Sequence, residues 1–378
     1  MFQKKYFRLF WLLLVLGFLS YPLFSSLTRV EEPKISPVLR YYMCFRTAQP
    51  LTIDGRLDEE SWKKVYWSED FLDIEGKGKP KPRFRTRVKM LWDDQYFYVG
   101  AELEEPHVWA TLKDRDSIIY LDNDFEVFID PDGDTHNYYE LEINALNTVW
   151  DLMLVKPYRD GGPAIHSWDI QGLKTAVYVD GTLNNPNDKD KGWSVEIAIP
   201  WEVLKEAAAF KKKPEPGDQW RINFSRVEYR TVVENGVYVK AKDQRTGQVL
   251  AEDNWTWAPQ GVINIHYPEM WGYVQFTATE AGKAKEYCDE DPDADVKWAL
   301  RRIYYRQRNF LAEKGRFALN LEELNLAKDK DLKVKGWNYP PTIMTTESLF
   351  EAVYTNQSGV KWHIRQDGLV WKTETNEK

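Results

Sequence analysis

The sequence predicts a mainly β protein, in which an antiparallel, jelly-roll-like β-sandwich is followed by a small C-terminal α+β appendage. Between residues 50 and 279, short segments of alternating apolar and polar residues recur, and turn residues separate them. Helical periodicity is rare in that stretch. After residue 295, one clear helical pattern is followed by three short strand patterns.

The amino-acid composition is typical of a folded globular protein. The chain has 378 residues, of which 43% are hydrophobic and 29% are charged, so it should fold around a proper core and has room for about two domains. Its formal net charge of −8 argues against a nucleic-acid partner, because proteins that bind phosphate backbones carry basic surfaces. Many of the 17 Trp, 21 Tyr and 17 Phe should lie in the core, but an all-β domain rich in Trp also suits a surface that stacks flat ligand faces.

Residues 1–28 read as an export signal. Lys4, Lys5 and Arg8 precede the apolar run of residues 9–19, which has the length of a signal core and is short for a span of about 20 residues. No clean cleavage site follows, so a cleaved peptide and a retained membrane anchor both stay open. We therefore expect an exported protein that is periplasmic, secreted or at the cell surface, with residues 29–49 as a lead-in segment.

The two cysteines, Cys44 and Cys288, lie near the two ends of the predicted sandwich. In an exported chain such a pair suits a disulfide that ties those ends together. Two unpaired core thiols are the alternative.

Residues 50–279 carry the predicted sandwich. Turn residues and alternation predict strands over residues 51–53, 85–92, 96–103, 173–179, 192–199, 220–229 and 272–277, and a short helix over residues 201–210. Between them lies a meander of three strands in residues 120–154. One face of this meander carries Glu126, Glu142, Asn144 and Trp150, which suits a polar ring ligand. An ordinary solvated face is the alternative.

The turn between the first two strands of the meander contains Asp130, Asp132 and Asp134. Three carboxylates suit a hard cation such as calcium. Leu141 stands where an EF-hand loop would place its bidentate glutamate, so a plain turn is the competing interpretation.

Several ordered motifs carry a resemblance to family 9 carbohydrate-binding modules. They are DGRLDEESW (54–62), MLWDDQYFYVGAEL (90–103), DNDFEVFIDPDGD (122–134) and GWSVEIAIPWEVL (192–204). The later segments INFSRVEYR (222–230) and NWTWAPQGVINIHYPEMWGYVQF (254–276) resemble the variant of that family found in exported bacterial proteins. The resemblance covers about residues 50–277. It implies a sandwich that binds polysaccharides or oligosaccharides, is linked to polysaccharide breakdown and sometimes holds structural calcium.

The resemblance also implies site residues. Tyr120 lies where the family places its first sugar-stacking aromatic, and Glu126 matches an acidic position of the family. Glu142 replaces a basic residue, which is a departure from the pattern. The second aromatic should come from the loop 255–271, where Trp257, His266, Tyr267 and Trp271 are candidates, although Trp271 suits packing better. Arg226 is expected either to contact the ligand or to pair with Glu126 or Glu142.

Two other functions compete with sugar binding. A glycoside hydrolase needs two carboxylates across a cleft, one of them with a raised pKa, and alternation places Glu140 and Glu142 on one strand face, where we expect both to be solvated and ionised. A heme-binding sandwich would need an axial ligand such as Met153, His166, His266 or Met270, and the sequence has no CxxCH motif. We therefore predict no catalytic residue and no required cofactor, with calcium as the one structural candidate.

The C-terminal part changes character. Residues 280–295 are charged and read as a linker, and residues 296–378 as a separate module. A helix over residues 296–313 is followed by strands over 349–354, 360–365 and 369–372. A docking or stabilising role is the simplest expectation for this module.

Overall fold

The computed structural model describes residues 29–374, so the predicted export signal lies outside the described residues. The strands are, in chain order, β1 (Tyr41–Arg46), β2 (Leu72–Asp73), β3 (Thr86–Trp92), β4 (Tyr96–Glu104), β5 (Asp124–Asp130), β6 (Tyr138–Asn144), β7 (Val149–Leu154), β8 (Ala164–Ile165), β9 (Lys174–Asp180), β10 (Gly192–Pro200), β11 (Gln219–Glu228), β12 (Thr231–Glu234), β13 (Val237–Lys240), β14 (Asp253–Thr256), β15 (Gly272–Glu280), β16 (Thr342–Thr345), β17 (Phe350–Thr355), β18 (Lys361–Arg365) and β19 (Val370–Thr373). The helices are α1 (Glu60–Lys64), α2 (Trp201–Leu204) and α3 (Ala294–Lys314). The predicted mainly β class is confirmed.

One hydrogen-bonded sheet folds over into the two layers of a sandwich. One layer has the strand order β8-β7-β6-β5-β11-β15, and the other has the order β3-β4-β10-β9. β1 joins the layers, because residues 41–44 pair with β15 and residues 45 and 46 pair with β3. Inward side chains of both layers share one core, to which β5 contributes Val127 and β4 contributes Val99.

The first strand is not where the sequence analysis put it. Residues 51–53 form no strand, because the backbone N–H groups of this region donate to carboxylates: Thr52 to Glu59, and Asp54 and Gly55 to Glu196. β1 lies instead in the predicted lead-in segment. It runs parallel to both of its neighbours, whereas the remaining strand pairs of the sandwich are antiparallel.

The central meander is confirmed. β5, β6 and β7 pair in sequence as antiparallel neighbours, with Glu126 opposite Glu142 and Glu142 opposite Trp150. Phe125 and Ile143 turn into the sandwich core, as the alternation requires. The glutamates therefore lie on the face that turns away from this core.

Other predicted boundaries shift. The helix predicted over residues 201–210 ends at Leu204, and Phe210 lies exposed with a φ of 58°, a left-handed conformation that an α-helix cannot continue. The hairpin β12–β13 was not predicted, although its Asn235-Gly236 turn is a strong hairpin signal.

The predicted disulfide is not formed. Cys44 and Cys288 are both free thiols. The Cys44 side chain is fully buried in the main core, whereas Cys288 packs against a smaller cluster on the far side of β1 that contains Met43 and Phe45. The two thiols are nevertheless close enough to interact, since Cys288 adds to burial in raising the pKa of Cys44.

The C-terminal module is built from α3 and a four-stranded antiparallel sheet in the order β16-β17-β18-β19. Its helix and its last three strands agree with the sequence analysis. Within residues 29–374, no helix combines the length and the apolar character needed to cross a membrane.

The C-terminal module packs against the rest of the protein. Val30 from the lead-in segment, and Val262, Tyr267 and Met270 from the loop before β15, share its hydrophobic core. The segment predicted as a linker is itself held to β15, because the Asp289 side chain accepts a 2.8 Å hydrogen bond from Gln275. Sandwich and module are therefore packed together.

Candidate functional site

A cavity of 630 Å³ opens on the face of β5 and β6 that turns away from the sandwich core. Its floor carries Glu126 from β5, Glu140 and Glu142 from β6, and Ser225 from β11. The strand register brings these groups together, because Glu126 lies opposite Glu142 on one side and opposite Ser225 on the other. Three loops, around residues 116–120, 158–166 and 252–266, form the walls.

The floor is buried. Glu126 and Glu140 are each 5% exposed and Glu142 is 1% exposed, so the interpretation of this face as an ordinary solvated surface is wrong. The wall loops cover the sheet face and remove most of its water. The alternation of apolar and polar residues in the strands predicts only that one face is polar, and it does not predict that loops cover this face.

Burial raises the pKa of the floor carboxyls. The pKa of Glu126 rises to about 7 and that of Glu140 to about 8, and the pKa of Glu142 lies well above its ordinary value. Desolvation is the main cause, and the charge of Glu126 adds to it for Glu140 and Glu142. The expectation that Glu140 and Glu142 are solvated and ionised is therefore wrong.

Aromatic side chains form the walls above this floor. Tyr120 and Tyr158 are about half exposed, and Trp150 keeps 9% of its surface open beside them. The Trp150 ring stacks on His166 at 5.6 Å with an interplanar angle of 10°, and its centroid lies 6.3 Å from that of Tyr120. Flat apolar faces over hydrogen-bonding carboxyls form a site for a polar ring with an apolar face.

The position of Tyr120 is fixed through its backbone. Its N–H donates to Glu142 Oε2 at 2.9 Å, and its carbonyl accepts a hydrogen bond from the Tyr229 hydroxyl at 3.2 Å. The wall aromatic and the floor carboxyl are thus tied together. The ring itself stays free to contact a ligand.

His266 closes the cavity on the side of Tyr158. Its Nδ1 lies 3.0 Å from the Tyr138 hydroxyl, and the Tyr158 ring meets its imidazole edge-on at 4.7 Å. Desolvation and the nearby Arg159 guanidinium lower the pKa of His266 to about 3. A neutral imidazole is therefore present at neutral pH.

Five of the predicted ligand residues line the cavity, namely Tyr120, Glu126, Glu142, Trp150 and His266. The prediction for Asn144 is wrong, because its side chain is used up in a turn: its amide donates to the Leu112 carbonyl and to Asp122, and its oxygen accepts N–H groups from Leu146 and Thr148.

Arg226 is also misassigned. It lies on the opposite face of β11 from Ser225 and is fully buried between the layers, where it pairs with Glu105 and Glu228 at 2.9 and 2.8 Å. The strand alternation that puts Ser225 on the cavity floor necessarily turns Arg226 away from it. It therefore contacts neither a ligand nor the two floor glutamates.

Trp257 and Tyr267 are not in the cavity either. Trp257 is fully buried in the core, with its indole N–H donating to Glu69. Tyr267 packs in the core of the C-terminal module, and its hydroxyl donates to the Glu31 carbonyl. Trp271 is buried, in agreement with the packing role expected for it.

Several wall residues were missed by sequence reasoning. Tyr158 is the exposed aromatic that shares the cavity with Tyr120, and Glu252 and Asn254 add polar groups on the side of β14. The segment that holds Tyr158 and His166 follows the meander directly and carries aromatic residues without strand alternation. That combination was the available signal, since loops next to a polar sheet face commonly complete a binding site.

Of the residues considered as heme ligands, only the histidines reach the cavity. His166 and His266 line it, whereas Met153 packs against the sandwich core and Met270 is fully buried in the core of the module. The buried carboxyls of the floor suit a polar ligand better than a porphyrin.

The predicted calcium turn has a geometry that fits a cation. One carboxylate oxygen from each of Asp130, Asp132 and Asp134 lies within 4.8 Å of the others. Asp130 is buried and accepts the N–H groups of Gly133 and Thr135 at 3.0 and 2.9 Å, which orients it as the turn requires. The set of oxygen donors suits calcium.

Comparison with known proteins shows a family resemblance in the first part of the chain. The model described as "Carbohydrate family 9 binding domain-like" matches residues 53–224. An exoglucanase XynX of Acetivibrio thermocellus is 27% identical over 152 residues, which is 40% of this chain and 12% of the relative. An endo-1,4-beta-xylanase C of Paenibacillus barcinonensis is 29% identical over 89 residues, which is 24% of this chain and 7% of the relative.

Among solved structures, a family 9 carbohydrate-binding module of Caldicellulosiruptor kristjanssonii in complex with cellotriose aligns with a TM-score of 0.41 at 16% identity. The alignment covers 66% of this chain and all of that module. Residues 53–224, a little under half of this chain, are thus similar to the carbohydrate family 9 binding domain-like family.

Proposed function

We propose that this chain binds carbohydrate without cleaving it, in the cavity between Tyr120, Trp150 and Tyr158, and that it serves polysaccharide breakdown outside the cytoplasm. The observation that carries the proposal is the cavity itself, in which exposed aromatic faces stand over hydrogen-bonding carboxyls within a family 9 scaffold. Sugar rings present an apolar face and a polar rim, so they match both parts.

The protonation of the floor supports this proposal. A carboxyl with a pKa near 7 both donates and accepts hydrogen bonds near neutral pH, and sugar hydroxyls do the same. The export of the protein is part of the proposal and follows from the predicted signal in residues 1–28, whether that segment is cleaved or remains as an anchor.

A binding test follows directly. Isothermal titration with cello- and xylo-oligosaccharides should show binding to the wild-type protein, since the curated relatives are named as an exoglucanase and a xylanase. Tyr120→Ala and Tyr158→Ala should each weaken it by about 1–2 kcal/mol, the scale of a well-packed aromatic contact. Tyr287→Ala is the matched control, because Tyr287 is exposed and lies outside the cavity.

Equal affinities for all three variants, with the fold intact, would exclude this cavity as the sugar site. Absence of binding to a broad panel of polysaccharides would contradict the proposal as a whole.

One observation favours a second candidate, a glycoside hydrolase. Glu126 and Glu140 have the raised pKa values that a general acid needs, and they lie in a cavity. Against it, the carboxyls share one floor and do not face each other across a cleft. Incubation with the same polysaccharides should release no new reducing ends. Release that disappears in Glu126→Gln, while binding persists, would establish the hydrolase instead.

A further inference from the structure

Three carboxylates at and behind the cavity floor form a compact group that has no cationic partner within residues 29–374. One oxygen from each of Asp124, Glu126 and Glu142 lies within 4.8 Å of the others, and all three residues are at least 95% buried. Asp124 belongs to the same strand face as Glu126, because the two residues are two positions apart along β5. In the described part of the chain, no lysine or arginine forms an ion pair with any of the three, whereas the buried Glu105 and Glu228 share Arg226.

Two buried oxygens beside this group lack a hydrogen-bond partner. Asp124 Oδ2 is one, although the other oxygen of the same carboxylate accepts the Val227 N–H at 3.1 Å. Glu140 Oε2 is the second, and Glu140 lines the same cavity at 5% exposure. Buried acceptors are normally satisfied, so unpaired oxygens around a carboxylate group point to a missing positive partner.

We propose that Asp124, Glu126 and Glu142 hold a calcium ion at the floor of the cavity. The spacing fits, because two oxygens on opposite sides of a calcium ion are about 5 Å apart when each bond is about 2.3–2.6 Å long. The donors are all oxygens, as hard cations prefer, and calcium accepts an irregular set of six to eight ligands more readily than magnesium does. Glu140 and Ser225 lie close enough on the same floor to add further oxygens.

The backbone already orients this group. Glu142 is held by the Tyr120 N–H and Asp124 by the Val227 N–H, so each carboxylate keeps its place without the ion. Glu126 and Glu142 line the cavity, whereas Asp124 is fully buried and does not, so the open coordination positions of the ion would face the cavity. A bound saccharide would fill them with a pair of adjacent hydroxyls, and this second step rests on the proposed function.

Calcium titration of the chelator-treated protein, followed by calorimetry and thermal unfolding, tests the site. The wild-type protein should bind calcium and unfold at a higher temperature with it. Asp124→Asn and Glu142→Gln should each lose one binding event. Asp132→Asn is the matched control, because it makes the same change in another carboxylate group of similar spacing, and it should keep that event.

The amide variants should also remain folded in chelator, since each keeps the shape of the side chain and an oxygen that accepts the same backbone N–H. A crystal soaked in Mn²⁺ should show an anomalous peak between Asp124, Glu126 and Glu142. Absence of that peak, or calcium binding that is the same in Asp124→Asn as in the wild type, would overturn the proposal.

Saccharide titrations in calcium and in chelator separate this inference from the proposed function. Weaker sugar binding in chelator, restored by calcium, is the expected result. If sugar binding is equal under both conditions and no calcium binds, the proposed calcium site is wrong and the proposed carbohydrate binding still holds. If calcium binds but no sugar does, the calcium site is supported and the proposed carbohydrate-binding function is contradicted.

Discussion

Glu126 and Glu196 are both glutamates on buried strands, and their surroundings give them different roles. Burial raises the pKa of each to about 7. Glu196 is satisfied by three N–H donors, from Trp62, Asp54 and Gly55, at 2.8 to 3.0 Å. Glu126 faces the cavity, with Ser225 beside it. The two residues have the same type and are both buried. Their hydrogen-bond partners therefore decide that Glu196 is structural and that Glu126 is open to a ligand.

His266 supports a prediction on pH. Its folded pKa of about 3 lies below the ordinary value of 6.5, so between these values the unfolded chain takes up a proton that the folded protein does not. The contribution of His266 to stability is thus full above pH 6.5 and is lost as the pH falls. We expect a loss of at most about 1.4 kcal/mol per pH unit in this window.

Urea unfolding at pH 7, 6, 5 and 4 measures this effect as the difference between wild type and His266→Gln. The difference should fall with pH, because the variant cannot take up the proton. His107→Gln is the control, since His107 is exposed and also lies 3.0 Å from a tyrosine hydroxyl. A wild-type curve parallel to that of His266→Gln would contradict the assignment.

At the scale of elements, Glu196 joins two parts of the sandwich. It sits on β10 and accepts the indole N–H of Trp62 from α1 and the N–H groups of the turn at Asp54 and Gly55. The motifs DGRLDEESW and GWSVEIAIPWEVL therefore meet at one carboxylate. This contact explains why residues 51–53 pack along the sandwich without forming a strand.

Glu196→Ala should destabilise the protein by about 3 kcal/mol, because two buried N–H groups and one partly buried N–H group lose their acceptor at once. The measurement is the free energy of unfolding in urea. Glu202→Ala, two residues into the next helix and with a side chain that is 82% exposed, should change it by less than about 0.5 kcal/mol. Similar values for the two variants would show that the carboxylate is not the link.

At the scale of the whole molecule, α3 of the C-terminal module holds the wall of the cavity. Tyr304 donates to Asp160 at 2.6 Å, and Arg308 donates to Asp160 and to the Arg159 carbonyl. Arg159 in turn binds Glu269 through two 2.9 Å hydrogen bonds and donates to the His266 carbonyl at 2.8 Å. Because Tyr158 and His266 flank this network, the module braces both wall loops.

Asp160→Asn should therefore weaken the proposed sugar binding as well as the fold. It leaves Arg159 and Arg308 without a shared anion in a buried interface, and removing one partner of such a network costs about 3 kcal/mol. Thermal unfolding and oligosaccharide titration measure the two effects. Glu313→Gln, an exposed carboxylate of α3 itself, should alter neither. A loss of stability with unchanged sugar affinity would separate the module from the cavity.

The sequence by itself determined the sandwich, because most of its strands bury one face, and a two-residue alternation reports such a face wherever it occurs. The meander β5–β7, the hairpin β3–β4 and the helix α3 were readable for that reason. β1 was not, since its pairing joins residues 41–46 to strands more than 40 and more than 220 positions away. Such distant partners leave no local pattern.

The cavity was decided by the tertiary structure. Alternation placed Glu126 and Glu142 on one face, and the family pattern placed Tyr120 above them, so part of the floor and one wall were predicted. Whether that face met water depended on the two loops that flank the meander and on the distant segment 252–266. These bring Tyr158 and His166 to the face, whereas Trp257 and Tyr267 pack elsewhere. Only that covering removes the water, and the removal of water is the physical reason why the glutamates hold their protons near neutral pH.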